Sequence, residues 1–211
     1  MERLDAIGER IRQHLEEKNA ARDRALQQSR TLIRHCSLAI RAAHRDERPE
    51  AAAELATAAQ LQLELRSNLQ AYPDLLHAGY TQDALKEFVE ASIVCAILAG
   101  EPLPTPEDIG IDNAAYLCGL GEAAGELRRR VLDILRHGQT EEAERLMTVM
   151  DDIYGLLVTM DFPDAITGSL RRITDMVRGV VERTRGDLTT TSQQNDLKRA
   201  LRSLEDKLPR P

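Results

Sequence analysis

Aromatic side chains are scarce in this sequence. Only 3% of its 211 residues are Phe, Trp or Tyr, and Trp is absent. Proteins that hold single-stranded nucleic acid by stacking need several aromatic rings on which the bases lie. If the chain binds nucleic acid, we therefore expect contacts to the phosphate backbone, with weak sequence preference and a strong dependence on salt.

Cysteines and long hydrophobic runs are also few. Cys36, Cys95 and Cys118 are odd in number, and each lies among apolar, helix-forming residues. This pattern favours reduced, buried thiols over a disulfide framework or a zinc site. The sequence shows no signal peptide and no apolar run long enough to span a membrane. Together these features predict a cytoplasmic protein without a membrane partner.

Hydrophobic patterns with the alternating period of strands are missing, whereas the good helix formers Ala, Leu, Arg and Glu dominate. The sequence therefore predicts an all-α protein, a single-domain bundle of about seven helices over residues 1–211. Its first helix should run from residue 2 to about residue 46, which is long for a compact domain. Within the Pro-rich connector over residues 101–113, Thr105-Pro-Glu-Asp108 predicts a short capped helix.

Several common catalytic motifs are absent. There is no Gly-rich phosphate loop after a strand and no Gly-x-Ser-x-Gly elbow. The five His residues lack the spacing of metal ligands. Carboxylates are therefore the main candidates for chemistry.

Acidic residues outnumber basic ones by 35 to 28, which gives a formal net charge of −7. This excludes a generally basic nucleic-acid binder, so nucleic-acid binding would need a local basic patch. The segment Arg22–Arg48 supplies one, because it holds seven Arg against three acids. At ~100° per residue, Arg30, Arg34, Arg41 and Arg45 fall within about 60° of one another on a helix. The row suits phosphate oxygens; the alternative is a solvated face that pairs with acidic neighbours.

The segment Ala91–Ala99 holds no charged residue and ends at Gly100. It is too short for a bilayer and is typical of a buried core helix. Glu87 and Glu90 lie at its entrance, three residues apart and therefore on one face. That face continues into apolar residues, so both carboxylates should point inward or into an interface. A buried carboxylate is costly unless a cation or a proton neutralises it.

A third inward carboxylate is expected from Asp152, which lies at the edge of the apolar stripe of a later helix; Asp151 is further round. Oxygen ligands without His or Cys suit Mg²⁺ or Mn²⁺. With Glu87 and Glu90, Asp152 would form the kind of site that metal-assisted phosphodiester hydrolases use.

Three stretches, taken in order, resemble the translin and translin-associated factor X (TRAX) family, in its prokaryotic TRAX-like branch. The resemblance covers roughly residues 20 to 190. Its parts are residues 28–45, Leu85-Lys-Glu-Phe-Val-Glu-Ala91, and residues 116–128 followed by 170–175 and 181–186.

The resemblance implies a seven-helix fold that assembles into hollow octamers and binds single-stranded RNA or DNA. TRAX-type subunits are similar to Mg²⁺-dependent endoribonucleases whose acids are two Glu in a Leu-x-Glu-x-x-Glu-Ala motif and one Asp on a later helix. Carried over, these acids are Glu87, Glu90 and Asp152, with Asp151 as the alternative. Arg30 and Arg45 would lie near the nucleic acid.

We therefore expect a homo-oligomeric, metal-dependent endoribonuclease that acts on single-stranded RNA. Two alternatives remain open. The first is a non-catalytic oligomer that binds single-stranded RNA or DNA. The second is a purely structural helical assembly in which the buried Glu pair with Arg of a neighbour.

Overall fold

The computed structural model describes residues 2–206, so Met1 and residues 207–211 of the predicted domain lie outside the described residues. Within this range every regular element is a helix, as the sequence predicts. Six helices have 19 residues or more and three have four residues. In chain order they are α1 (Glu2–His44), α2 (Arg48–Asn68), α3 (Pro73–Leu76), α4 (Gly79–Ala99), α5 (Pro106–Ile109), α6 (Asn113–Leu135), α7 (Thr140–Val158), α8 (Asp164–Thr167) and α9 (Leu170–Glu205).

The chain divides into two compact units, Met1–Gly119 and Leu120–Pro211, with the boundary inside α6. The long first helix is confirmed and ends at His44, two residues before its predicted end. None of the described helices is both long and apolar enough to cross a membrane.

In the first unit, α1, α2 and α4 pack on one another. The apolar α4 is buried along most of its length and ends at Gly100, whose φ of 75° is the left-handed conformation that glycine adopts without strain. One face of α1 is buried, and its small and medium-sized side chains allow close helix packing. This face contains Ala25, Leu32, Cys36, Ala39 and Ala43.

The connector after α4 is fixed by hydrogen bonds within the same unit. Gln62 Nε2 donates to Ile109 O at 3.2 Å, and Tyr116 Oη donates to Pro104 O at 2.8 Å. The predicted cap of α5 is confirmed, because Asp108 N donates to Thr105 Oγ1 at 3.2 Å and Thr105 N donates to Asp108 Oδ2 at 2.8 Å. Hydrogen bonding of the Asp108 carboxyl to the Thr105 backbone N–H, and then to the Thr105 side chain, lowers the pKa of that carboxyl.

In the second unit, α7 packs on α9. The remainder of α6 also reaches α9, since Arg128 Nη1 donates to Thr184 Oγ1 at 3.0 Å and Arg128 Nη2 lies 2.8 Å from Asp187 Oδ2. The core of this unit is aliphatic, with Leu146, Met150, Ile153 and Leu157 on α7 and Ile173, Val177, Val180 and Val181 on α9.

Small residues in α6 allow its backbone to approach its neighbours closely. In the first unit, a methyl group placed at Gly119 would lie 2.6 Å from both Lys86 O and Val89 Cβ on α4. Neither atom is the free end of a flexible side chain, so the contact leaves no room for a larger residue. Gly125, by contrast, is exposed and has no atom within 4 Å of the same position.

The first prediction compares these two glycines. Gly119→Ala should lower the free energy of unfolding by about 1–3 kcal/mol, because the added methyl group overpacks the contact between α6 and α4. Gly125→Ala should raise it by roughly 0.5–1 kcal/mol, because alanine favours the helix and meets no clash. Urea unfolding of both variants measures the difference; equal effects would show that α6 does not pack tightly on α4.

Candidate functional site

Glu87 and Glu90 lie on one side of α4, as their spacing predicts. Each is half-buried, and one carboxylate oxygen of each lies within 4.8 Å of the other. The residues between and beside them are buried: Phe88 is 2% exposed and Val89 and Ala91 are fully covered. The pair therefore occupies the margin of the α4 core, where water and a ligand still have access.

The buried thiol of Cys36, on α1, lies close enough to this pair to feel its charge. Burial raises the pKa of Cys36 far above its usual range, and the negative charges of Glu87 and Glu90 raise it further. Both carboxylates therefore place negative potential on the buried face of α1, which packs against α4. The thiol itself stays protonated and inert at neutral pH.

All three cysteines are free, as predicted. Cys118 is buried and Cys95 is half-buried. Burial, with a smaller contribution from the charge of Glu101, raises the pKa of Cys95 to about 11. No thiolate is thus available near neutral pH from Cys36 or Cys95 as a nucleophile or soft metal ligand, which leaves carboxylates as the candidate ligands.

Two carboxylates in this arrangement suit a hard divalent cation. Mg²⁺ and Mn²⁺ prefer carboxylate oxygens, and Mg²⁺ sites commonly use one or two protein carboxylates while waters and substrate phosphates fill the other positions. A half-buried margin permits such a mixed coordination, whereas a closed core would exclude the waters.

Asp152 was expected to point inward, and this orientation is wrong. Asp152 is exposed on α7. Its neighbour Asp151 is half-buried and engaged within the second unit, because Arg185 Nη2 donates to its two carboxylate oxygens at 2.6 and 2.8 Å. A metal-binding role for Asp152 stays a prediction, but its burial no longer supports that role.

Glu122 is a carboxylate that the sequence analysis did not select. It lies on α6, three residues after Gly119, and is half-buried. A half-buried acid on this helix is a second candidate for a metal ligand.

The predicted arginine row is exposed on α1, and all four of its members, Arg30, Arg34, Arg41 and Arg45, face solvent. At ~100° per residue the row lies about 180° from the buried face that contains Cys36. Arg45 is held by acids, since its Nη2 lies 2.5 Å from Glu47 Oε2.

The other three arginines differ from Arg45. Within residues 2–206, Arg30, Arg34 and Arg41 have no ion pair or side-chain hydrogen bond. The solvated, acid-paired interpretation therefore describes Arg45, whereas Arg30, Arg34 and Arg41 present unneutralised guanidinium groups that suit phosphate oxygens.

Comparison with known proteins identifies relatives that share this fold. No family model matches the sequence. Among curated proteins, the chain is 28% identical over 193 residues to uncharacterized protein MJ0175 of Methanocaldococcus jannaschii, a match that covers 91% of this chain and 86% of the relative.

Among solved structures, the chain is similar to the crystal structure of AfC3PO, with 34% identity, a TM-score of 0.81 and coverage of 88% of this chain and 97% of that one. It is also similar to AfC3PO solved as a duplex RNA complex, with 35% identity, a TM-score of 0.76 and coverage of 88% and 96%. The apo-NeC3PO crystal structure, at 20% identity, a TM-score of 0.79 and coverage of 87% and 96%, shares the fold. The translin-like fold is thereby confirmed.

Proposed function

Because the chain belongs to the prokaryotic C3PO family of translin- and TRAX-like proteins, we propose that it binds RNA and cleaves its phosphodiester backbone with a divalent metal ion. The observation that carries the proposal is the half-buried pair Glu87 and Glu90, whose carboxylate oxygens lie within 4.8 Å of each other. RNA as the ligand is supported by the duplex RNA complex of a relative with 35% identity. We keep single-stranded RNA as the expected substrate for cleavage.

In this proposal Glu87 and Glu90 bind and position the metal ion, which is Mg²⁺ or Mn²⁺. Such an ion, when bound, supplies positive charge to the scissile phosphate and increases the acidity of a bound water. The two carboxylates would hold the ion and, through it, position a water near the scissile phosphate. The apolar residues around them, Phe88 and Val89, limit the competing bulk water.

A third acid would complete the ligand set, and three acids are candidates. The resemblance to TRAX assigns the role to Asp152, with Asp151 as the alternative. Glu122 is favoured by its chemistry and burial, because it is a half-buried carboxylate that could bind a metal ion. Asp151 is disfavoured, since its two oxygens already accept from Arg185.

The second prediction concerns the acids. Glu87→Gln and Glu90→Gln should each abolish Mg²⁺-dependent RNA cleavage while RNA binding is retained, because the amide keeps the shape but loses the negative charge. Asp83→Asn is the matched control, an exposed acid on the same helix that should keep full activity. Cleavage of labelled single-stranded RNA, with and without Mg²⁺, measures the effect.

The same assay ranks the third acid, by comparing Glu122→Gln with Asp152→Asn. If Glu87→Gln and Glu90→Gln both cleave RNA at the rate of the wild type, the proposal that this pair supports metal-dependent cleavage is wrong. A wild-type protein that binds RNA but cleaves none at any Mg²⁺ or Mn²⁺ concentration would instead support the non-catalytic binding oligomer.

We further propose that the arginine row of α1 contacts RNA phosphates. Arg30, Arg34 and Arg41 carry this role, because their guanidinium groups face solvent without an ion-pair partner in residues 2–206. Arg45 would contribute less, since contact with RNA requires it to give up Glu47.

The third prediction follows from counterion release. Arg34→Ala and Arg41→Ala together should weaken RNA binding and reduce the slope of log affinity against log salt by about 1.4, or ~0.7 for each lost phosphate contact with a single strand. The control is Arg10→Ala, which removes an exposed arginine on the same helix but outside the row. An unchanged slope would exclude the row from the interface.

We also propose that the protein acts as a homo-oligomer, an octamer if the resemblance holds. The supporting observation is an exposed apolar stripe near the start of α1, at the spacing of one helix face. The exposed fractions are 71% for Leu4, 36% for Ile7, 55% for Ile11 and 56% for Leu15. A second copy of the chain is the occupant that covers this stripe.

The fourth prediction tests that surface. Ile11→Glu places a charge at the centre of the stripe and should shift the native mass toward smaller species, because burying an unpaired carboxylate is costly. Ala6→Glu, which adds the same charge on the opposite, exposed side of α1, should leave the mass unchanged. Native mass spectrometry with and without a short RNA separates the outcomes, and a monomeric wild type would exclude the oligomer.

A further inference from the structure

The second unit contains a large groove with a basic lining. It measures about 1110 Å³ and lies between the end of α6, the start of α7 and the later part of α9. Four permanently cationic side chains line it, together with one histidine and a single carboxylate. These residues are Arg136, Lys198, Arg199 and Arg202, then His137, and then Asp187.

The cations of this groove are largely unneutralised. Asp187 is paired with Arg128 at 2.8 Å, and Arg199 is paired with Asp196 at 2.7 Å. Among residues 2–206, no acid pairs with Arg136, Lys198 or Arg202. A chain with a net charge of −7 thus gathers three unpaired cations in one groove. Such a field attracts a polyanion.

The rest of the lining distinguishes between kinds of polyanion. No Phe, Tyr or Trp lines the groove to offer a base a stacking surface, and uncharged hydrogen-bonding groups stand between the cations. They belong to Thr140, Thr190, Thr191, Gln194 and Asn195. Donors of this kind, with guanidinium and ammonium groups, are those that proteins direct at phosphate and sugar oxygens rather than at base edges.

The length of the groove suits an extended ligand. Its α9 residues run from Asp187 to Arg202, a rise of about 22 Å at ~1.5 Å per residue. The spacing Asp187, Thr191, Asn195, Lys198 and Arg202 keeps these side chains on one helix face. A single phosphate ion would occupy only part of this surface, whereas several consecutive backbone phosphates would use all of it.

We propose that this groove binds the sugar–phosphate backbone of RNA, as a contact site separate from the arginine row of α1. The inference rests on the proposed RNA-binding function and adds a second surface to it. Recognition is by charge and by hydroxyl and amide donors, so it carries no base preference. Arg136, Lys198 and Arg202 are the residues that hold the phosphates.

The experiment removes two groove cations and compares a matched pair. Lys198→Gln with Arg202→Gln is the test variant. Arg172→Gln with Arg183→Gln is the control, since both arginines are exposed on α9, lack an ion-pair partner in the described residues and lie outside the groove. Circular dichroism and native mass confirm that both proteins keep their fold and assembly. The probe is a labelled RNA of mixed sequence, single-stranded or duplex, titrated at several salt concentrations.

The test variant should bind the RNA more weakly, with the salt slope reduced by about 1.4 for a single strand, while the control retains the wild-type slope. Equal salt slopes for the wild type, the test variant and the control would contradict RNA binding in the groove, while the proposed function would still stand. A wild type that binds no RNA overturns both. A test variant whose native mass changes without RNA shows that the groove holds an acidic surface of a second copy, which also overturns the inference.

Discussion

The close placement of two like charges beside an apolar helix core is the constraint from which the rest of the structure is best understood. Glu87 and Glu90 hold carboxylate oxygens within 4.8 Å of each other at the margin of α4. At an effective dielectric constant of about 20, charges this close repel by several kcal/mol. A divalent cation bound between them would offset that repulsion, with water or phosphate in its remaining ligand positions.

The surrounding helices hold this pair in place. On one side, the buried face of α1 packs against α4 and carries Cys36, whose pKa is raised first by burial and further by the two carboxylates. On another, Gly119 allows α6 to approach α4 at Lys86 and Val89, the residues that directly precede Glu87 and Glu90. The unneutralised cations lie apart from these acids in the chain, on the exposed face of α1 and in the groove lined by α9. This division suits a protein that binds a polyanion by its cations and acts on it with its acids.

Local periodicity was enough to predict the helices and the acid pair, because both depend on spacing along a single helix. The same arithmetic failed for Asp152. Its expected inward orientation depended on its angular closeness to Val149, and Val149 is only half-buried. Measured from the centre of the buried stripe, Leu146, Met150, Ile153 and Leu157, Asp152 lies about 130° away and so faces solvent. The α9 groove could not be predicted, because its walls come from two segments distant in sequence, 132–140 and 187–202. The one sequence signal was the spacing of Lys198 and Arg202, which lie four residues apart and therefore on one helix face. Similarly, the pairing of Arg45 with Glu47 was not distinguishable from a free arginine on a helical wheel.

Direct measurement of metal binding to the RNA-free protein tests the central claim most sharply, since it does not depend on substrate choice. Calorimetric titration with Mn²⁺ should show binding to the wild type and to Asp83→Asn, but none to the double variant Glu87→Gln and Glu90→Gln. Equal binding by the wild type and the double variant would contradict the claim, as would a wild type that binds no Mn²⁺.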